Sequence, residues 1–208
     1  MDAPDLDLLL DRARSGDETA FAGLYRDLQP RLLRYLQVQA PEHAEDVAAD
    51  TWLDVARAIG GFDGGSTAFR SWLFAIARHR LVDAVRRASR RPLHLVADGS
   101  VLDALGEPWP DPADDVQAYE ATQRAVAMVR TLPPDQAEVV MLRVVAGLEP
   151  AEVALLVGKP VGSVRVLAHR GLRRLARTLA ANQQAAAPSG AASSGGAAPS
   201  GGPRAEEV

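Results

Sequence analysis

Cysteine is absent from this chain of 208 residues. That removes disulfide frameworks, zinc ribbons, thiol catalysis and any thiol switch within the chain. Histidine is scarce as well: the four, at 43, 79, 94 and 169, are scattered without ligand spacing, so no metal site is expected. No phosphate-binding loop and no coherent nucleophile and base arrangement appears, so neither a cofactor nor an enzymatic activity is expected. No apolar run approaches the ~20 residues of a membrane-spanning helix, and the acidic start MDAPDLDL lacks the basic stretch of a signal peptide. A soluble cytoplasmic protein fits best. Alternating strand patterns are missing too. Helical periodicity remains, and the expected fold class is all-α.

The net charge of −4 conceals segregation. Arg78, Arg80, Arg86, Arg87, Arg90 and Arg91 form one basic block opposed only by Asp83, and Lys159 to Thr178 holds six Lys or Arg and no acid. Between them, Leu93 to Gln123 carries seven acids and no Lys or Arg. Phosphate affinity follows local neutralisation and counterion release rather than the net value. Two basic surfaces flanking an acidic connector therefore suit a nucleic-acid binder.

The run Pro150 to His169, PAEVALLVGKPVGSVRVLAH, has the spacing of a helix-turn-helix. Ala154 lets two helices cross closely, Gly158 takes a left-handed turn, and Val164 pins the second helix. Pro150 suits a first helical position behind Glu149. In the second helix, Val164, Leu167, Ala168, Gly171, Leu175 and Leu179 fall on the inward stripe. Ser163 stands at its start, and Arg165, Val166, His169, Arg170, Arg173, Arg174 and Arg177 face outward. Such a helix fits a major groove, with N-terminal side chains at base edges and later arginines on phosphates. A merely solvated amphipathic helix would carry the same basic face; the turn spacing favours DNA.

Along the chain, Leu6 to Arg14 reads as a short helix ended by Ser15-Gly16. Asp17 caps a second helix, which Pro30 is expected to interrupt or kink before it resumes as RLLRYLQVQ. Pro41 precedes a helix over Glu42 to Ile59. A glycine-rich loop then leads to a long helix from near Ser66, with Phe69, Leu73, Ile76, Leu81, Ala84 and Val85 at core spacing. These four helices form a first domain, 1–91. Residues 92–116 read as an extended acidic linker; fully stretched, it spans up to roughly 80 Å at ~3.3 Å per residue, more than two duplex turns. Helices resume near Gln117 and run to about Ala181, with a break at Leu132-Pro133-Pro134 and Asp135 as a cap, giving a second domain, 117–181. The remainder, 182–208, rich in Ala, Gly, Ser and Pro, has almost nothing to bury and is expected to be disordered.

Taken in order, LYRDLQPRLLRYL, AEDVAADTWLDVARAI, GFDGGSTAFRSWLFAIARHRLVDAVRR and LPPDQAEVVMLRVVAGLEPAEVALLVGKPVGSVRVLAHRGLRRL resemble the sigma-70 family of initiation factors. The resemblance is to the extracytoplasmic-function (ECF) class, stress-response factors that retain only the second and fourth conserved regions. It covers roughly residues 18 to 91 and 117 to 179. It implies two small helical domains and no catalysis. The implied partners are core RNA polymerase, through its beta-prime clamp and beta flap, promoter DNA, and a regulatory anti-sigma factor. For the polymerase clamp, the matching positions are Glu42, Glu45, Asp46, Asp50 and Asp54, an acidic stripe that is equally explained as a solvated helix face; Ala49 and Asp50 depart from a common Gln-Glu pair. For capture and melting of the minus-ten element they are the loop residues Phe62, Asp63, Ser66 and Thr67, with Arg78, Arg80, Arg86 and Arg87 on phosphates. His79, where Asn is frequent, reads either as a DNA contact or as a solvated surface residue. For the minus-thirty-five element they are Ser163, Arg165, Val166, His169, Arg170, Arg173 and Arg174, with Val166 and Leu167 departing from a common Ser and Arg. The acidic linker matches a connector threaded through the active-centre cleft, and plain solubility explains its composition as well. The competing reading is a helix-turn-helix regulator that binds duplex DNA without acting as a sigma subunit.

Overall fold

The computed structural model describes residues 5–90 and 116–186; the acidic linker, apart from Val116, and the tail beyond Ala186 lie outside them. Among the described residues every regular element is helical. Helix α1 (Leu6–Arg14) is capped by Asp5, whose carboxylate accepts from the N–H groups of Asp7 and Leu8 at 3.0 and 3.4 Å. It ends at Ser15, and Gly16 takes φ +87° to turn the chain. Asp17 then caps α2 (Glu18–Gln39), accepting from Ala20 N–H at 3.0 Å and from the Arg12 guanidinium at 2.6 Å.

Helix α2 runs unbroken through Pro30, contrary to the expected interruption. Leu24 and Leu28 before the proline, and Leu32, Tyr35 and Leu36 after it, are all buried on one stripe. Keeping both halves in register with the core outweighs the ~3 kcal/mol an interior proline costs. The third segment also differs from expectation. Pro41–His43, with Glu42, forms a 3-10 turn, α3 proper is Ala44–Ala58, and Ile59–Gly61 is another 3-10 turn. Helix α4 (Ser66–Arg90) buries Phe69, Leu73, Phe74, Ala77 and Leu81, whereas Val85 is exposed. By then α4 has run past the helices that cover it, so core spacing no longer means core.

In the second half, α5 (Val116–Arg130) leads to α6 (Pro134–Val140). Pro133, not Asp135, occupies the N-cap, its carbonyl accepting from the N–H groups of Gln136 and Ala137. Asp135 instead pairs with Lys159 at 2.9 Å. Helix α6 widens into a π-helical stretch, Met141–Val145, before Gly147 (φ +70°) turns the chain. Helix α7 (Pro150–Val157) starts as read from the sequence, Pro150 in its first turn and Glu149 at the N-cap, where its N–H donates to Glu152 at 2.6 Å. Gly158 is left-handed at φ +66°, and α8 (Val161–Ala186) follows, five residues longer than expected. At Gly171, α8 lies so close to α6 that a Cβ would meet Val140 Cγ2 at 2.7 Å.

The two halves touch. Helix α2 packs against α5, α6 and the π-helical stretch, and one continuous apolar cluster runs from Leu10 to Val164. Polar links reinforce it: Arg78 Nε donates to Glu138 at 2.8 Å, and the Ser71 hydroxyl donates to Glu152.

Candidate nucleic-acid and polymerase interfaces

On α8 the inward and outward faces divide as the periodicity requires. Val164 and Gly171 are buried, Leu167, Ala168 and Leu175 are half-buried, and Leu179 is exposed because α8 has by then left the rest of the fold. Ser163, Arg165, Val166, His169, Arg170, Arg173, Arg174 and Arg177 are exposed. Lys159, Pro160, Gly162, Ser163, Val166, Leu167 and Arg170 line a shallow open groove at the helix start. Gly158 has open space where a Cβ would stand, so its positive φ alone accounts for glycine there. Ala154, 8% exposed, sits at the crossing beneath Val164, which is fully buried.

The acidic stripe is only partly free. Glu42, Glu45, Asp46 and Asp50 are exposed, but Asp54 turns toward α4 and holds Arg80, with Nε at 2.6 Å and Nη2 at 2.5 Å. The hydrogen bond and charge of Asp54 raise the Arg80 pKa still further. One residue read as polymerase-facing and one read as DNA-facing thus bind each other. Beside the free acids, Ala49 and Leu53 are exposed, and Leu53 is an apolar side chain with half its surface in water. Sequence reasoning passed over Leu53; its i+3 and i+4 relation to Asp50 and Ala49 was the available signal.

The minus-ten candidates separate likewise. Asp63 and Thr67 are exposed. Phe62 is half-buried, its ring stacked on Trp72 at 4.8 Å and edge-on to Phe69 at 5.6 Å. Ser66 is held by Asp7, which accepts from its N–H at 2.6 Å and its hydroxyl at 3.1 Å. On α4, Arg78 faces α6 and Arg80 faces α3, whereas His79, Arg86 and Arg87 point to water, His79 Nδ1 lying 3.6 Å from Asp83. Among the described residues no cluster of His, Asp or Glu could hold a metal ion, and no helix is long and apolar enough to cross a membrane.

The sigma-70 region 2 family profile matches residues 24–91, and the sigma-70 region 4 profile matches 122–175. Together they span more than half of the chain, in the order required of an initiation factor. This chain belongs to the ECF class of the sigma-70 family. It is 36% identical over 173 residues to the ECF sigma factor BldN of Streptomyces coelicolor, covering 82% of this chain and 64% of that protein. It is 30% identical over 190 residues to the ECF sigma factor SigD of Mycobacterium tuberculosis, covering 87% of each. Among solved structures, CnrH in complex with the cytosolic domain of CnrY is similar, with a TM-score of 0.56 and 25% identity over 86% of this chain and 99% of that one. The sigma-70 family consists of transcription initiation factors, which bind core RNA polymerase and direct it to promoters, and this sigma factor is one of them. The reading as a free-standing helix-turn-helix regulator falls away, because region 2 is present as well.

Proposed function

We propose that this sigma factor distributes its work over three surfaces. The first is the exposed face of α3 and the turn before it, where Glu42, Glu45, Asp46 and Asp50 lead up to the exposed Leu53. It suits docking on a basic helical clamp of the polymerase: complementary charge speeds encounter and fixes register, and the leucine supplies burial. Asp54 supports this face from behind through Arg80. The second is the loop at 62–67 with the outer face of α4, which captures the minus-ten element. Asp63 and Thr67 meet the extruded base, and Arg86, Arg87 and His79 meet the strand. The third is α8, where Arg165, Val166, His169 and Arg170, with Ser163 at the helix start, read the minus-thirty-five element while Arg173 and Arg174 hold phosphates.

Residues 1–91 carry the first two surfaces and 117–181 the third. The observation that carries the reading is the left-handed Gly158 turn, which leads into a helix whose exposed face carries Arg165, Arg170, Arg173, Arg174 and Arg177 and no acid. The chain itself performs no catalysis and works in the cytoplasm, where the polymerase is. The beta flap is the expected partner of the second domain. The solved complex of CnrH with a partner's cytosolic domain supports a protein regulator of the anti-sigma type here too. Run-off transcription with purified bacterial core polymerase and a genomic promoter library tests the proposal. New discrete start sites sharing two spaced elements are expected; silence, with duplex binding but no binding to core, would overturn it.

A further inference from the structure

Helix α1 lies ahead of the residues matched by the region 2 profile, which begins at residue 24. Yet two of its side chains hold the loop that precedes α4. Asp7 crosses from α1 to accept both the N–H and the hydroxyl of Ser66, so a residue 59 positions away caps the first turn of α4. Arg14 donates to the carbonyl of Gly64, and its guanidinium lies 5.2 Å from the centre of the Phe62 ring. That ring is itself stacked on Trp72. Gly64 stands at φ +137°, and a Cβ there would lie 3.0 Å from Ala68 Cβ and 3.3 Å from Phe62 Cζ. The loop is therefore fixed at Phe62, Gly64 and Ser66, and Asp63 and Thr67 are left exposed, the Thr67 hydroxyl accepting from Arg70 Nη2 at 3.4 Å.

We infer that Asp7 and Arg14 are positioning residues for minus-ten recognition: α1 fixes the loop in one shape before DNA arrives, so that Asp63 and Thr67 meet the extruded base without further ordering. The inference rests on the minus-ten role proposed above for this loop. It also recasts two candidates. Ser66 and Phe62 are anchors, because α1 already holds them through Asp7 and Arg14, and the base contacts fall to their exposed neighbours. A loop that had to order on binding would lose affinity for each group immobilised, and preorganisation removes that cost.

The test uses holoenzyme assembled from core polymerase and the full chain, on a promoter recovered from the run-off library. Asp7→Ala and Arg14→Met are expected to leave core binding unchanged and to retain duplex binding through α8. They should lower formation of permanganate-reactive open complex by roughly tenfold, the effect of immobilising one or two side chains. They should also flatten the preference for the native base at the extruded position, which a purely structural defect would not do. Melting temperature is measured for every variant. Arg14→Lys, which keeps charge and stem, is the milder probe should Arg14→Met lose stability, and Asp7→Asn, which keeps an acceptor for the Ser66 N–H, should restore most of the selectivity lost in Asp7→Ala. Folded variants with undiminished opening and unchanged base preference overturn the inference, as does a loss of opening that only tracks loss of core binding. Wild-type holoenzyme that initiates but shows no base preference at any position of the minus-ten element would instead sink the role of the loop itself.

Discussion

Single residues of this sigma factor, one at a turn, one at a helix start and one inside a helix, separate three kinds of constraint. Gly158 is constrained by backbone alone, so Gly158→Ala should cost about 1 to 2 kcal/mol in chemical denaturation, with no repacking to rescue it. Gly171 is constrained by space. Its replacement by alanine drives a methyl into Val140 and should cost roughly 1 to 3 kcal/mol. Adding Val140→Ala to Gly171→Ala should recover part of that loss, and strictly additive costs in the double mutant would contradict the close approach. Asp17 is constrained by charge. Its carboxylate accepts from Ala20 N–H and Arg12, which hold its pKa below the ordinary aspartate value of 3.8. Because the folded-state pKa is the lower one, its contribution is complete above the ordinary value and disappears as pH falls through the folded value. The stability gap between wild type and Asp17→Asn in melting experiments should therefore narrow only in strong acid. Asp17 and Gly158 were legible in the sequence because each acts on its own few neighbours. Gly171 was read only as one position of an inward stripe, since nothing local announces how near another helix will come.

Whole elements were legible as far as one apolar stripe decided them. The helix-turn-helix, the capped start of α2 and the long α4 follow from local spacing, and each stands where it was read. Of the interruption or kink read at Pro30, the interruption is absent, because the buried leucines on both sides of it act through tertiary contacts that a local rule omits. Restoring the N–H there with Pro30→Ala should raise stability by about 2 kcal/mol, the helical penalty less the unfolded-state entropy that proline removes. An unchanged or lowered melting temperature would mean that the helix is shaped around the ring. The orientation of cations along α4 was equally illegible. Arg78 and Arg80 belong to the basic block by sequence, but the acids opposite them, Glu138 and Asp54, lie on other helices. For α8, Arg165→Ala combined with Arg170→Ala should abolish promoter-specific initiation and leave core binding intact; a guanine contact of this kind is worth ~1 to 3 kcal/mol of discrimination. Filter binding against core and run-off from the selected promoter check both halves of that statement.

At the scale of the whole molecule, the two halves are held together by polar links over a shared apolar core. Arg78 and Glu138 keep 33% and 17% of their side-chain surface exposed, enough for added salt to screen the pair in part. Paired fluorophores on α3 and α8 should therefore move apart in Glu138→Ala, and in wild type as ionic strength rises. A distance that ignores both would assign the cohesion to the apolar cluster alone.

Tyr35 stands at this junction. Its ring packs edge-on against Phe74 of α4 at 5.5 Å, its hydroxyl lies 3.4 Å from Glu138 of α6, and burial, then the Glu138 charge, pushes its ionisation far above the ordinary tyrosine value of 10.0. If parting of the halves lets water reach that phenol, its ionisation moves back toward the ordinary value. Alkali then acts as a wedge: the parted form gives up a proton that the joined form retains, and the equilibrium moves toward parting by mass action on hydroxide. With Tyr25 and Tyr119 replaced by phenylalanine, the ultraviolet band of tyrosinate would record that movement without any label.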